Sequence, residues 1–201
     1  MSKDEEKIKQ LLSGLKKEQQ ILFAVVCAKR FVGLYKMFDN EYDISKQDKS
    51  FSRGKGIDAL IMILDFIDNK MESASENQIE DLISKNLNLV PDPELFDFDA
   101  KVYIAQLIAQ SILNILRFGI TNNIDKILFC TKTTLELINQ IKGEEYYLNI
   151  APTDAFNVPS EYLAPFFIKE IQLEEELIRM INDNSNEEKI KNFIDNNIIK
   201  W

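Results

Sequence analysis

Residues 98–119, FDAKVYIAQLIAQSILNILRFG, decide the fold class. At 100° per residue, Gln106, Gln110, Asn114 and Arg117 fall on one narrow polar stripe. Every other position from Ile104 to Leu116 is apolar or small, and none is charged. A helix apolar nearly all round must be buried, in a core or in an oligomer interface, and the core is favoured here. The stretch therefore predicts a central helix from about Phe98 to Phe118, closed by Gly119 as its C′ residue.

Helical spacing continues on both sides of this stretch. Upstream, the pattern predicts helices over about Asp4–Leu15, Lys17–Arg30, Gly33–Tyr42, Ile57–Lys70 and Glu76–Lys85, the last with Ser75 as N-cap. Asp43 to Gly56 is polar, holds Gly54 and Gly56, and reads as a loop. Pro91-Asp92-Pro93 marks a turn. Downstream, helices are expected over about Asn123–Lys142, ended by Gly143, then Ser160–Asn182, starting or kinking at Pro165, and Asn186–Lys200. Glu144 to Pro159 reads as irregular. The helix over Ile57–Lys70 also looks nearly all apolar, with Asp58 and Asp65 on one narrow line, and is expected to be central. Gly and Pro number only 6 and 5 in 201 residues, which argues against the many tight turns of an all-β fold. The expectation is an all-α single domain over residues 1–201, a bundle of about eight or nine helices that are mostly antiparallel neighbours.

Composition narrows the function classes. The net charge is −9, so nucleic acid is not an expected partner. The chain holds no His. That removes Ser-His-Asp and Cys-His catalysis, the usual zinc sites and the carboxylate–histidine di-iron motif. There is no P-loop, no GxGxxG after a strand and no CxxC. No cofactor or bound metal is expected. Cys27 and Cys130 lie on apolar helical patterns and read as reduced thiols. The N-terminus is charged with no apolar run behind it, and no segment approaches 18 uncharged apolar residues. A cytoplasmic protein without a membrane partner is expected, as a monomer or a homodimer.

The informative residues are charges inside apolar stripes. Arg30 lies with Phe23, Cys27 and Leu34 within about 60°. Glu170 and Glu174, four apart, fall near the middle of the arc Phe166, Phe167, Ile171, Leu173, Leu177, Ile178, Ile181. Asp68 falls on the line of Ile57, Ile61, Leu64 and Met71. A buried carboxylate without a partner costs several kcal/mol or takes up a proton. Three readings follow. Arg30 pairs internally with Glu170 or Glu174 and fixes helix register. The face borders a cleft that takes a polar ligand or a partner's side chain, and Tyr35 is a further candidate binding residue. Or Asp65, Asp68, Glu170 and Glu174 hold a divalent metal, as in all-helical nucleotide pyrophosphohydrolases. The stripe Gln106, Gln110, Asn114, Arg117 is a solvated edge or the lining of a groove.

Leu22-Phe23-Ala24, then Cys27-Ala28-Lys29-Arg30, then Tyr35 and Phe38, resemble the opening helices of the YjaG-like bacterial proteins, the domain of unknown function 416. Gly54-x-Gly56 before the helix carrying Asp65 is similar, as are Pro91 and Phe96-Asp97-Phe98-Asp99 before a long apolar helix. So is Glu170-Ile171-Gln172-Leu173-Glu174. The likeness spans about Leu11 to Met180. It departs where a Trp is expected near Glu18 and an acid at Lys29, where Gly33 replaces Pro, and where Leu173 replaces an aromatic. The resemblance implies an all-helical bacterial cytoplasmic protein, and genome neighbourhood links such proteins to histidine-kinase signalling. It brings no activity and no catalytic residues. The leading expectation is a non-enzymatic protein that acts by binding another protein, in regulation or signalling. The alternatives are an acidic immunity or antitoxin-type protein that neutralises a basic toxin, and the metal-dependent phosphohydrolase above.

Overall fold

Helix starts are written locally. Ser75 accepts from the Gln78 N–H at 3.4 Å while the Gln78 side chain accepts from the Ser75 N–H at 2.9 Å, a reciprocal capping box. Asp99 accepts from Val102 N–H at 2.9 Å, and Asn186 from Lys189 N–H at 3.0 Å. The computed structural model describes residues 3–42, 44–48, 54–92, 94–96, 99–149 and 158–200. Among them are nine α-helices: α1 (Lys3–Ser13), α2 (Lys17–Phe31), α3 (Tyr35–Glu41), α4 (Gly56–Lys70), α5 (Glu76–Leu87), α6 (Ala100–Thr121), α7 (Ile124–Asn149), α8 (Ser160–Asn182) and α9 (Glu187–Asn196). Short 3₁₀ turns occupy Val32–Leu34, Ile44–Lys46 and Met71–Ser73, and no strand occurs among the described residues. The fold is an all-α bundle.

The centre is α6 together with α2. Helix α6 lies against α2, α3, α4, α5 and α7, and α2 lies against α4, α6, α7, α8 and α9. Nine of the fifteen residues of α2 are buried, against five of fifteen in α4. The expectation that α4 is central is therefore corrected: Ile61 and Met62 are 42% and 57% exposed, so α4 has a full solvent face. By length and hydropathy α6 would suffice to cross a bilayer, contrary to the expectation that no segment comes close. Here five neighbouring helices pack against it, and 56% of the apolar window is buried.

Two glycines did not end their helices. Helix α6 runs through Gly119 to Thr121 and is capped by Asn122, whose φ of 52° is left-handed. Gly119 instead leaves room for the Met71 side chain, which a Cβ would strike. Helix α7 runs through Gly143 to Asn149, so Glu144–Asn149 is helical rather than irregular. Gly143 is buried, and a Cβ there would touch Val158 at 3.4 Å. Helix α3 starts at Tyr35, after the 3₁₀ turn that contains Gly33. Helix α8 starts at Ser160, and Pro165 sits inside it, one turn in. Helix α9 stops at Asn196 because the chain that follows pairs elsewhere: Ile199 N–H donates to the Arg30 carbonyl at 2.9 Å. Residues 150–157, Asp97, Phe98, Pro93 of the expected turn, and Asp43 and positions 49–53 of the expected loop lie outside the described residues.

Gly54 has φ 71°, a conformation that favours glycine. Gly56 has a different role. A Cβ on it would lie 2.7 Å from both Asp39 Oδ1 and the Tyr35 ring. Asp39 is buried, and its Oδ2 accepts the Ile57 N–H at 2.6 Å, which holds the start of α4 against α3. Gly56→Ala is expected to destabilise by about 1–3 kcal/mol, because both neighbours are rigidly held. A urea melt beside the parent checks it, and an unchanged midpoint would show that this contact yields freely.

A buried Arg–Glu clamp and an enclosed acid as the candidate functional site

Arg30 ends the buried stripe of α2 and faces α8. Its Nη1 and Nη2 donate to Glu170 Oε1 and Oε2 at 2.6 and 2.8 Å, a bidentate pair. The third donor, Nε, reaches the Asn197 carbonyl at 2.9 Å. The guanidinium also stands 5.8 Å from the centroid of the Phe193 ring on α9. Arg30 and Glu170 are only 2% and 3% exposed. Burial opposes the Arg30 charge, but the Glu170 carboxylate more than offsets that, so its pKa lies above the ordinary value. One side chain thus joins α2 to α8, α9 and the segment after α9.

Glu174, one turn along α8, is fully buried and is not paired with Arg30. Its Oε2 accepts from the Thr131 hydroxyl of α7 at 2.7 Å, and its Oε1 has no hydrogen-bond partner among the described residues. Burial, reinforced by the nearby Glu170 charge, pushes its pKa from 4.5 up to about 8. At neutral pH it is chiefly a neutral carboxylic acid. The helical arc placed both acids inside. It did not distinguish the ionised one from the neutral one, because residues four apart share a face. Thr131 was not anticipated; its signal was the pair of polar hydroxyls Thr131 and Thr134 on an otherwise apolar face.

Both thiols border this cluster. Cys27 and Cys130 are free and fully buried. The Ser111 hydroxyl donates to Cys130 Sγ at 3.3 Å. Burial pushes Cys130 up to about 12, and burial with the Glu174 charge pushes Cys27 well up too. Thiols that stay protonated and enclosed react slowly. Neither is expected to react with Ellman's reagent at pH 8 within minutes in the native protein, and both should react in guanidinium. Prompt native reactivity of either thiol would show that the cluster opens.

The remaining candidates separate. Tyr35 is fully buried and its hydroxyl donates to the Leu89 carbonyl at 2.7 Å, tying α3 to the turn after α5. Asp65 is exposed. Asp68 is also at the surface, paired with Lys29 at 2.5 Å, so its assignment to an apolar stripe is corrected. The stripe was miscounted because Ile61 faces water; the buried line is Leu60, Ile63, Leu64, Ile67 and Met71. Asp65 and Asp68 do not join Glu170 and Glu174 in one group, and no cluster of three acids or thiols among the described residues could hold a metal.

The polar stripe of α6 lines an open groove of about 540 Å³. Gln106, Gln110, Asn114 and Arg117 form its floor, Leu87 and residues 90–92 one wall, and Phe129 the other. The Gln106 amide donates to the Pro91 carbonyl at 2.7 Å, and that of Asn114 to the Gln110 carbonyl at 2.9 Å. The half-buried Arg117 guanidinium has no partner among the described residues.

These features define a helical bundle whose central α2 is clamped to the late helices by a desolvated ion pair. The chain belongs to the family described as "Protein of unknown function (DUF416)", which matches residues 7–197. A crystal structure of a DUF416 family protein from Shewanella baltica OS155, at 1.91 Å resolution, is similar with a TM-score of 0.61 and 19% identity. The alignment covers 94% of this chain and 92% of that one. At that identity the likeness shows the fold. The search of curated proteins found no match.

Proposed function

We propose that this chain is a non-catalytic, regulatory protein that works by binding another protein in the groove along α6. The observation that carries this is Arg117, a cation without a partner among the described residues, in a groove floored by amides. Residues four apart on a helix rise by about 6 Å. Two residues of an extended chain advance by about 6.6 Å. Gln106, Gln110 and Asn114 can therefore meet successive peptide groups of one extended segment. Arg117 would take a carboxylate on that segment, and Leu87, 45% exposed, would take an apolar side chain. Asp92, on the wall, disfavours a second acid at that end.

The test compares affinity capture from the source cell by the parent and by Arg117→Glu. A protein retained by the parent and depleted at least tenfold by the variant is expected, and it should compete with a synthetic peptide of its own acidic segment. Identical captures would overturn the reading. Arg117 is half-exposed and has no partner among the described residues, so the variant should fold, and far-UV circular dichroism checks that.

A further inference from the structure

A second cavity, of about 250 Å³, opens between α7, α8 and the segment after α9. Its lining carries an apolar set, Ile138 and Ile141 from α7, Phe166 and Leu173 from α8, and Ile199, beside the polar Asn196 and Asn197. Its rim is cationic. Lys142, Lys169 and Lys200 line it, with the Arg30–Glu170 pair at the back. Arg30 and Glu170 neutralise each other, and Lys142 is held by Glu145 at 2.7 Å and stands 5.1 Å from the Phe166 ring centroid. Lys169 and Lys200 have no partner among the described residues. In a chain of net charge −9, two ammonium groups without a described partner at the mouth of this cavity form a local positive focus.

We propose that this cavity binds a small amphipathic carboxylate, with its hydrocarbon end on Ile138, Ile141 and Leu173 and its carboxylate between Lys169 and Lys200. The volume sets the size, since drug-sized ligands need about 300–1,000 Å³. The lysines set the charge, and the apolar floor excludes a bare inorganic ion as the preferred occupant. Two walls come from α7 and α8, and the third is the segment that Arg30 holds through the Asn197 carbonyl and the Ile199 N–H. An occupied cavity therefore steadies that segment against the helices. This site lies apart from the α6 groove and does not depend on the protein-binding reading.

Isothermal titration of the full chain with octanoate tests the assignment, with 1-octanol and inorganic phosphate as controls. Saturable 1:1 octanoate binding is expected, with at least tenfold weaker binding in Lys169→Glu/Lys200→Glu and for both controls. Both lysines are exposed, so the variant should melt as the parent does without ligand, whereas octanoate should raise the melting temperature of the parent alone. Absence of octanoate binding at millimolar concentration would overturn the proposal. So would equal affinity in the lysine variant, which means non-specific apolar adsorption, or equal affinity for phosphate, which means simple counter-ion condensation.

Discussion

Arg30→Met is expected to destabilise the fold by about 3–5 kcal/mol, because it strands the buried Glu170 carboxylate without its counter-charge. For a domain of this size that corresponds to a fall in Tm on the order of 10 °C. The parent pair is bidentate and almost wholly enclosed, so solvent screening does not soften the loss. The sharper measurement is the double variant Arg30→Met/Glu170→Leu. Replacing both partners of a buried ion pair with apolar groups is often neutral. Most of the lost stability should return, less about 1 kcal/mol for the Asn197 carbonyl, which loses its Nε donor. If the single variant melts like the parent, the pair does not hold the fold. If the double variant is as unstable as the single one, the cost lies in the lost reach to α9 and beyond rather than in an orphaned charge.

Glu174 is expected to make stability fall as pH rises from about 5 to about 8. Its folded pKa of about 8 lies above the unfolded value of 4.5. Between those values the native protein binds a proton that the unfolded chain has released. By linkage, stability then drops by up to about 1.4 kcal/mol per pH unit, and it levels off above the folded pKa. The favourable window is acidic, the reverse of the usual salt-bridged carboxylate. Glu174→Gln preserves an oxygen for the Thr131 hydroxyl and removes the titration. Its denaturant midpoint should be nearly flat across pH 5–8 once other groups are subtracted by comparison with the parent, and at pH 8 it should be the more stable protein by a few kcal/mol. Parallel pH profiles for parent and variant would refute a neutral Glu174.

The sequence showed the clamp better than it showed the helix ends. Arg30, Glu170 and Glu174 stood out because a charge on an apolar arc has few outcomes, and the structure buries all three. Which acid meets Arg30 depends on how far α8 slides along α2, a tertiary quantity that periodicity does not contain. Gly119 and Gly143 also misled. Each was read as a helix stop; Gly119 is small because the Met71 side chain approaches there, whereas a Cβ at Gly143 would meet Val158 only at ordinary contact distance, so nothing in the packing requires glycine at that position. Asp68 was misplaced because Ile61 was counted as buried. The α6 stripe was legible as a stripe. That it floors a groove was not, because the walls come from the turn after α5 and from Phe129 on α7. Asp39 and Asn86, both buried, were missed altogether. Asn86 donates to the Ala109 carbonyl of α6 at 2.7 Å, and nothing in the spacing of α5 marks it.

The clamp also has a temporal side. Arg30 and Glu170 are 140 positions apart, and Ile199 follows later still. At a synthesis rate of about 5–20 residues per second, α2 leaves the ribosome roughly 7–30 s before its counter-charge exists. During that interval its guanidinium must stay hydrated, which keeps the Arg30 end of α2 from closing on an unfinished core. A nascent chain lacking α8 should therefore be open at this edge, a ready substrate for chaperones until the late helices arrive.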